Sequence, residues 1–214
     1  RNDVLIGSDY TKHYYENEKT YCEIKKLKEK GKKVIIYLPT FRDSNLKKNK
    51  TIIENICGYN DILEQNNILL LIKPHLNERI SINLRNKKSI VFINSNEDIY
   101  PLLSISDALI TDYSSVFFDY LLLNKPIIFF PYDYEEYLKN DRELYVDYYE
   151  EIAGPAFMDF SDVIKEIIET INLPKEKQID KKYIIIKEKY NTISKKNYSE
   201  NVYNCITDYL EHRD

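Results

Sequence analysis

The chain has 214 residues, of which 43% are hydrophobic and 31% charged, a composition typical of a folded globular protein and not of a disordered one. Its 35 acidic residues outnumber its 31 basic residues, so the formal net charge is −4. This acidic balance argues against a nucleic-acid-binding protein, because contacts with the phosphate backbone need a basic surface.

Short apolar runs alternate with longer helical patterns through the first 130 residues or so, which predicts βαβ units around a parallel sheet. We predict strands at residues 34–38, 68–72, 90–93, 108–110 and 127–130. We predict helices at residues 10–30, 51–65, 98–104 and 115–123, with Gly31 ending the first and Asn96 capping the third. Further helical patterns occupy residues 161–171, 175–190 and 198–212. The sequence therefore predicts a Rossmann-like, doubly wound α/β domain over residues 1–160 and a helical C-terminal extension over residues 161–214.

Ligands of such sheets bind beyond the carboxyl ends of the strands, so the residues after each strand are candidates for a site. After the first strand, Thr40 and Arg42 offer a hydroxyl and a guanidinium that suit a phosphate or a ribose oxygen. The alternative is a surface loop in which Arg42 pairs with Asp43.

Lys73 and His75 follow the second strand and place two cationic groups at the same edge. Together they suit a diphosphate, and the His75 imidazole could protonate a leaving phosphate. A lone histidine is also often structural or merely exposed, and this alternative stays open.

The segment after the fourth strand contains the largest number of candidate ligand-binding residues. Thr111 and Asp112 end that strand, and Ser114 and Ser115 stand where a helix begins, a position whose free N–H groups attract phosphate. Asp119 lies one helical turn further on the same face, where its carboxylate can accept hydrogen bonds from ribose hydroxyls. In the alternative, Asp112 and Ser115 cap the helix and Asp119 binds a structural cation.

After the last strand, Asp133 either binds a substrate hydroxyl or caps the next helix. Elsewhere, three widely spaced cysteines without a Cys-x-x-Cys pair predict neither a disulfide framework nor a zinc site and fit a reducing cytoplasm. The apolar runs are too short to span a bilayer, and no signal peptide is recognisable. Because the chain starts at Arg1 without a methionine, we expect it to be a fragment.

Taken together, the strand-end segments resemble the CDP-glycerol glycerophosphotransferase family of teichoic-acid primases and polymerases. The resemblance is carried by residues 36–43, 73–75, 107–119, 124–128, 132–133 and 154–155 in the expected order. It implies the C-terminal, nucleotide-binding half of a GT-B fold, and transfer of glycerol phosphate from CDP-glycerol to an acceptor hydroxyl of a teichoic-acid-like or capsular polymer, releasing CMP.

By the same resemblance, His75 contacts the diphosphate and assists catalysis, while the remaining site residues bind the glycerol-phosphate donor. These are Thr40, Arg42, Lys73, Thr111, Asp112, Ser114, Ser115, Asp119 and Asp133. The family's general base is a histidine of a His-Gly motif in an upstream acceptor domain, and no His-Gly dipeptide occurs here. We therefore expect that domain to be absent and the isolated chain to bind CDP-glycerol without efficient transfer.

Two other hypotheses for the function remain. The chain could belong to a GT-B transferase that uses CDP-ribitol or a nucleotide sugar, or it could be a non-catalytic nucleotide-binding domain. The sequence contains no obvious carboxylate cluster that would require a metal ion, and it leaves open whether a divalent cation takes part in the reaction. The resemblance also implies a lipid-linked or polymeric acceptor and a cytoplasmic location, with peripheral attachment at the inner face of the membrane.

Overall fold

The computed structural model describes residues 2–6, 15–16, 18–42, 46–74, 87–191 and 198–212. Its centre is a five-stranded parallel sheet with the order β3-β2-β1-β4-β5. The strands are β1 (Lys33–Leu38), β2 (Ile68–Ile72), β3 (Ile90–Phe92), β4 (Ala108–Thr111) and β5 (Ile127–Phe129). All neighbouring strands pair in parallel, so their carboxyl ends share one edge of the sheet.

Both faces of the sheet are covered, which explains why the strands are continuous apolar runs and not alternating ones. Successive side chains of β1 enter different hydrophobic clusters. Val34 and Ile36 pack on one face, and Ile35 and Tyr37 pack on the other. The predicted doubly wound α/β architecture is confirmed.

The helices surround this sheet and continue past it. They are α1 (Asn2–Leu5), α2 (Lys19–Glu29), α3 (Leu46–Cys57), α4 (Asn60–Gln65), α5 (Tyr100–Ile105), α6 (Val116–Tyr120), α7 (Tyr134–Asn140), α8 (Tyr148–Glu151), α9 (Phe160–Asn172), α10 (Lys181–Tyr190) and α11 (Tyr198–Glu211). Within the described part of the chain, no helix combines the length and the apolar character that crossing a membrane requires.

Four helix predictions need correction. The helix predicted over residues 10–30 is α2, which begins only at Lys19. The pattern over residues 51–65 forms two helices, α3 and α4, separated at Gly58. The pattern from residue 175 begins as a 3-10 turn, and α10 starts only at Lys181. Asn96 does not cap α5, because Asp98 Oδ1 accepts the hydrogen bond from the amide of Tyr100 at 3.0 Å. Gly31 does end α2, with the positive φ of 93° that favours glycine.

The C-terminal helices belong to the packing of the sheet. Val163, Ile164 and Ile167 of α9 are buried against one face, and each buried aliphatic side chain contributes about 1.5–3 kcal/mol. Tyr183 of α10 enters the cluster on the opposite face. The chain approaches β5 so closely at Gly154 that a Cβ there would lie 2.0 Å from the Ile127 carbonyl oxygen.

Candidate functional site

A cleft of about 390 Å³ opens at the carboxyl edge of the sheet, between the segments that follow β1, β2 and β4. Four residues predicted from the sequence line it: Lys73, Ser114, Ser115 and Asp119. These residues come from segments more than forty positions apart in the chain. The cleft therefore brings a cation, two hydroxyls and a carboxylate into one concave surface, as the rule for parallel sheets predicts.

The turn formed by Ser114 and Ser115 precedes α6 and exposes hydrogen-bond donors. Ser114 Oγ accepts a bond from the amide of Val116 at 3.4 Å. Among the described residues, none accepts a hydrogen bond from the amides of Ser114 and Ser115 or from the Ser115 hydroxyl. The alternative in which Ser115 caps the helix is wrong, because its side chain makes no capping bond.

Lys73 follows the end of β2 and lines the cleft. Its Nζ donates to the carbonyl oxygen of Glu97 at 2.6 Å. Burial lowers the pKa of Lys73, and the nearby carboxylates of Asp98 and Glu97 oppose that shift. The ammonium is thus partly desolvated, a setting in which an anionic ligand would interact with it more strongly than in bulk water.

Asp119 is held by a tyrosine that the sequence did not indicate. The hydroxyl of Tyr100 donates to Asp119 Oδ2 at 2.5 Å, and both side chains line the cleft. This bond orients the carboxylate. Within the described part of the chain, Asp119 Oδ1 accepts no hydrogen bond and remains available to a ligand hydroxyl.

Behind the cleft lies a buried group that we call the Arg42 cluster, made of Arg42, Asp112, Tyr113 and Asp133. Arg42 Nε and Nη2 donate to the two oxygens of Asp133, each at 2.9 Å, and Nη1 donates to Asp112 Oδ2 at 2.6 Å. The side chains of Arg42, Asp112 and Asp133 are 1%, 0% and 5% exposed. The surface-loop alternative for Arg42 is therefore wrong.

The charges of this cluster stabilise one another. Burial lowers the pKa of Arg42, but the Asp112 and Asp133 carboxylates raise it by more, so the guanidinium stays charged. Burial, followed by the charges of Asp133 and Asp112, raises the pKa of Tyr113 and keeps its hydroxyl protonated as the donor to Asp133 Oδ1 at 3.0 Å. No carboxylate of the pair is left without a partner.

Two predicted threonines use their hydroxyls inside the fold. Thr40 donates through both its amide and its hydroxyl to Asp112 Oδ1, at 2.8 and 2.5 Å. Thr111 is fully buried and donates to the carbonyl oxygen of Leu38 at 2.8 Å. His75 lies outside the described residues. Arg42, Asp112 and Asp133 pair with each other and do not line the cleft, so a direct contact of these residues with a ligand stays a prediction.

The described residues contain no group of three or more His, Cys, Asp or Glu side chains that could hold a metal ion. The role of Tyr100 could not be predicted from the sequence, because Tyr100 is 19 positions from Asp119 and lies outside every strand-end motif. Its only local signal is its position at the start of a helix whose second residue is Pro101.

Comparison with known proteins identifies the group to which this arrangement belongs. The model of the CDP-glycerol:poly(glycerophosphate) glycerophosphotransferase family matches residues 1–208. The teichoic acid glycerol-phosphate primase of Bacillus subtilis (strain 168) is 33% identical over 207 residues, covering 96% of this chain and 51% of the primase. A teichoic acid poly(ribitol-phosphate) polymerase of Bacillus spizizenii is 35% identical over 164 residues, covering 75% of this chain and 26% of the polymerase.

Solved structures agree in fold. The wall teichoic acid polymerase TagF superposes with a TM-score of 0.68 at 27% identity, covering 100% of this chain and 52% of TagF. A TagF variant described as soaked with CDPG gives a TM-score of 0.65 at 25% identity, covering 99% of this chain and 51% of that one. The chain thus spans about half the length, or less, of these relatives. It belongs to the CDP-glycerol:poly(glycerophosphate) glycerophosphotransferase family.

Proposed function

We propose that this chain binds CDP-glycerol in the cleft and supplies the donor-binding part of an enzyme that transfers glycerol phosphate to an acceptor hydroxyl in teichoic acid synthesis. The observation that carries the proposal is the meeting of Lys73, the Ser114–Ser115 turn and Asp119 in one cleft of a chain of this family. The similar TagF variant soaked with CDPG supports the same ligand class.

Each part of the cleft suits one part of the nucleotide. The Lys73 ammonium is a cationic donor, and the amides and the Ser115 hydroxyl of the serine turn are neutral donors that have no acceptor among the described residues. Such donors match the oxygens of a diphosphate. Asp119 is an acceptor whose orientation is fixed by Tyr100, and its free oxygen matches a ribose hydroxyl. The diphosphate would therefore lie towards the serine turn and the ribose towards Asp119.

In the proposed reaction, negative charge develops next to the hydrogen-bond donors of the cleft. The acceptor hydroxyl oxygen attacks the β-phosphorus, the bond from that phosphorus to the bridging oxygen breaks, and CMP departs with the bridging oxygen. Negative charge grows on the phosphoryl oxygens and on CMP, so preorganised N–H groups, hydroxyls and Lys73 stabilise the transition state. In this proposal His75, which follows the cleft residue Pro74 in the sequence, contacts the diphosphate and protonates the departing CMP.

The whole reaction requires more than the described cleft. Because the chain covers about half of the relatives, we assign it the binding of CDP-glycerol and assign acceptor activation to the rest of the enzyme. The acceptor would be a lipid-linked or polymeric alditol phosphate at the cytoplasmic face of the membrane. The three free cysteines support a reducing compartment.

A second donor, CDP-ribitol, is favoured by one observation. The identity to the poly(ribitol-phosphate) polymerase, 35%, is as high as the identity to the glycerol-phosphate primase, 33%. The cleft residues described here would contact the CDP moiety, which both donors share. The alditol is therefore the part that a binding experiment must discriminate.

Calorimetric titration of the chain with CDP-glycerol, CDP-ribitol and a UDP-sugar tests the proposal. We expect CDP-glycerol to bind and Asp119→Asn to weaken it by about tenfold or more, because hydrogen bonds to charged groups contribute about 1.5–3 kcal/mol. The matched control is Asp162→Asn, an exposed helical carboxylate outside the cleft, which should leave the affinity unchanged. Equal affinity of Asp119→Asn and wild type would contradict the proposed ribose contact, and absence of CDP-glycerol binding by the wild type would contradict the function.

A further inference from the structure

The Arg42 cluster joins the three loops that leave β1, β4 and β5 at the edge where the cleft opens. We infer that it positions the Ser114–Ser115 turn for the phosphates of the nucleotide, so that Arg42 acts through the turn and not by touching the ligand. The inference rests on the proposed function. It assigns a positioning role to three residues that, by resemblance, would themselves bind CDP-glycerol.

Four of the five N–H donors of Arg42 are already used within the protein. Its guanidinium makes two bonds to Asp133, one to Asp112 and one to the carbonyl oxygen of Thr40. The rings of Tyr113 and Tyr132 lie 5.2 and 4.9 Å from its central carbon. An arginine that is 1% exposed and enclosed in this way would have to abandon several bonds before it could reach a phosphate.

The cluster fixes the two residues that lead into the serine turn. The carboxylate of Asp112 receives bonds from Arg42 and Thr40, and its backbone carbonyl receives the Tyr148 hydroxyl at 3.1 Å. Tyr113 bonds to Asp133 through its hydroxyl, and its ring stacks on Tyr137 with centroids 4.1 Å apart.

Ser114 follows directly, and no described residue accepts a bond from its amide or from that of Ser115. The direction of those free amides is therefore set by the backbone before them. Holding that backbone in place before the ligand arrives reduces the cost of ordering it on binding.

The identity of the cation matters for this role as much as its charge. A planar guanidinium can grip Asp133 with two parallel bonds while a third nitrogen holds Asp112, whereas an ammonium is a single point charge on a flexible stem. Arg42→Lys thus keeps the charge but cannot join the two carboxylates in the same geometry. The change should loosen the turn without removing any group from the cleft.

The experiment compares wild type, Arg42→Lys and Ile167→Ala by CDP calorimetry, by thermal unfolding and by ¹⁵N amide spectra of the whole chain. Ile167 is a buried residue of α9, so its truncation lowers Tm without altering the cluster. We expect Arg42→Lys to weaken CDP binding by about tenfold and to move the amide signals of Ser114 and Ser115, because the bidentate grip is lost. Ile167→Ala should bind CDP within about twofold of the wild type, since distant sites act independently.

Each result decides the inference. Arg42→Lys with wild-type affinity, or with unmoved Ser114 and Ser115 signals, would overturn it. Equal losses of affinity in Arg42→Lys and Ile167→Ala would show a general effect of stability and would also overturn it. A wild-type chain that binds no CDP would overturn the proposed function itself, a result separate from a failure that appears only in the variant.

Discussion

The two edges of the sheet both carry buried or half-buried charges, yet they are built for different purposes. At the amino edge, Asp107 accepts from Lys28 at 2.6 Å and from the amide of Val34 at 2.8 Å, and so links α2 to the starts of β1 and β4. Lys125 donates to the carbonyl oxygens of Ser104 and Ser106, at 2.8 and 2.6 Å. In these contacts each charged side chain is bound by groups of the protein itself, and the contacts stabilise the fold.

At the carboxyl edge, the polar groups are divided into a closed set and an open set. The Arg42 cluster is closed, since its carboxylates are bound by neighbouring loops. In front of it, the amides of Ser114 and Ser115 and one oxygen of Asp119 have no bond to any described residue. A candidate site is therefore recognised by donors and acceptors left open beside a rigid support, and not by charge alone.

The largest expected effect is on stability. It tests whether the buried ion pairs of Arg42 at the carboxyl edge contribute more to stability than the partly exposed ion pair of Lys28 at the amino edge. Arg42→Met should lower the free energy of unfolding by about 3–5 kcal/mol, because it leaves two buried carboxylates without their cation. The matched change at the amino edge, Lys28→Met, should cost at most about 1 kcal/mol, because Lys28 and Asp107 are 32% and 24% exposed. Urea unfolding of both variants measures the difference, and equal losses would remove the distinction drawn between the edges.

The sheet and the location of the site could be predicted because both depend on local patterns. A continuous apolar run followed by polar residues indicates a buried parallel strand and its ligand edge, and four predicted residues do line the cleft. The break between α3 and α4 was missed because a single glycine, Gly58, is tolerated within a helical pattern and does not by itself mark an end.

The pairings within the site could not be predicted, because they join residues far apart in the chain. Arg42 and Asp133 are separated by 91 positions and Tyr100 and Asp119 by 19, and no spacing rule links residues on different elements. Whether Arg42 turns inwards or towards a ligand depends on how three loops pack. One sequence shows the residue types that these loops carry but not their arrangement.

A second, smaller effect concerns a lysine of the amino edge. Burial, and then the charge of Lys28, lowers the pKa of Lys125 from 10.5 to about 8. Between these values the unfolded chain binds more protons than the folded one, so the contribution of Lys125 to stability increases as the pH rises.

We therefore expect the free energy of unfolding of the wild type, relative to Lys125→Met, to rise by about 1–2 kcal/mol between pH 8 and 9.5. Urea unfolding at both pH values measures this difference. Lys175→Met, which removes an exposed lysine near the same edge, is the control and should show a much smaller change. A difference that stays constant with pH would mean that Lys125 is not desolvated as the structure indicates.

The smallest expected effect examines the open set at the carboxyl edge. Tyr100→Phe removes the hydroxyl that orients Asp119 and leaves the ring in its place in the wall of the cleft. Losing one hydrogen bond to the carboxylate should weaken CDP binding by about fivefold, equivalent to about 1 kcal/mol.

A 2′-deoxy analogue of CDP separates orientation from direct contact. If Tyr100 acts by aiming Asp119 at the ribose, the wild type should lose affinity for the analogue, and Tyr100→Phe should discriminate less between the two ligands. Tyr203→Phe, on the exposed face of α11, is the control and should behave as wild type. Undiminished discrimination in Tyr100→Phe would mean that the Asp119 carboxylate does not need the Tyr100 hydroxyl in order to face the ribose.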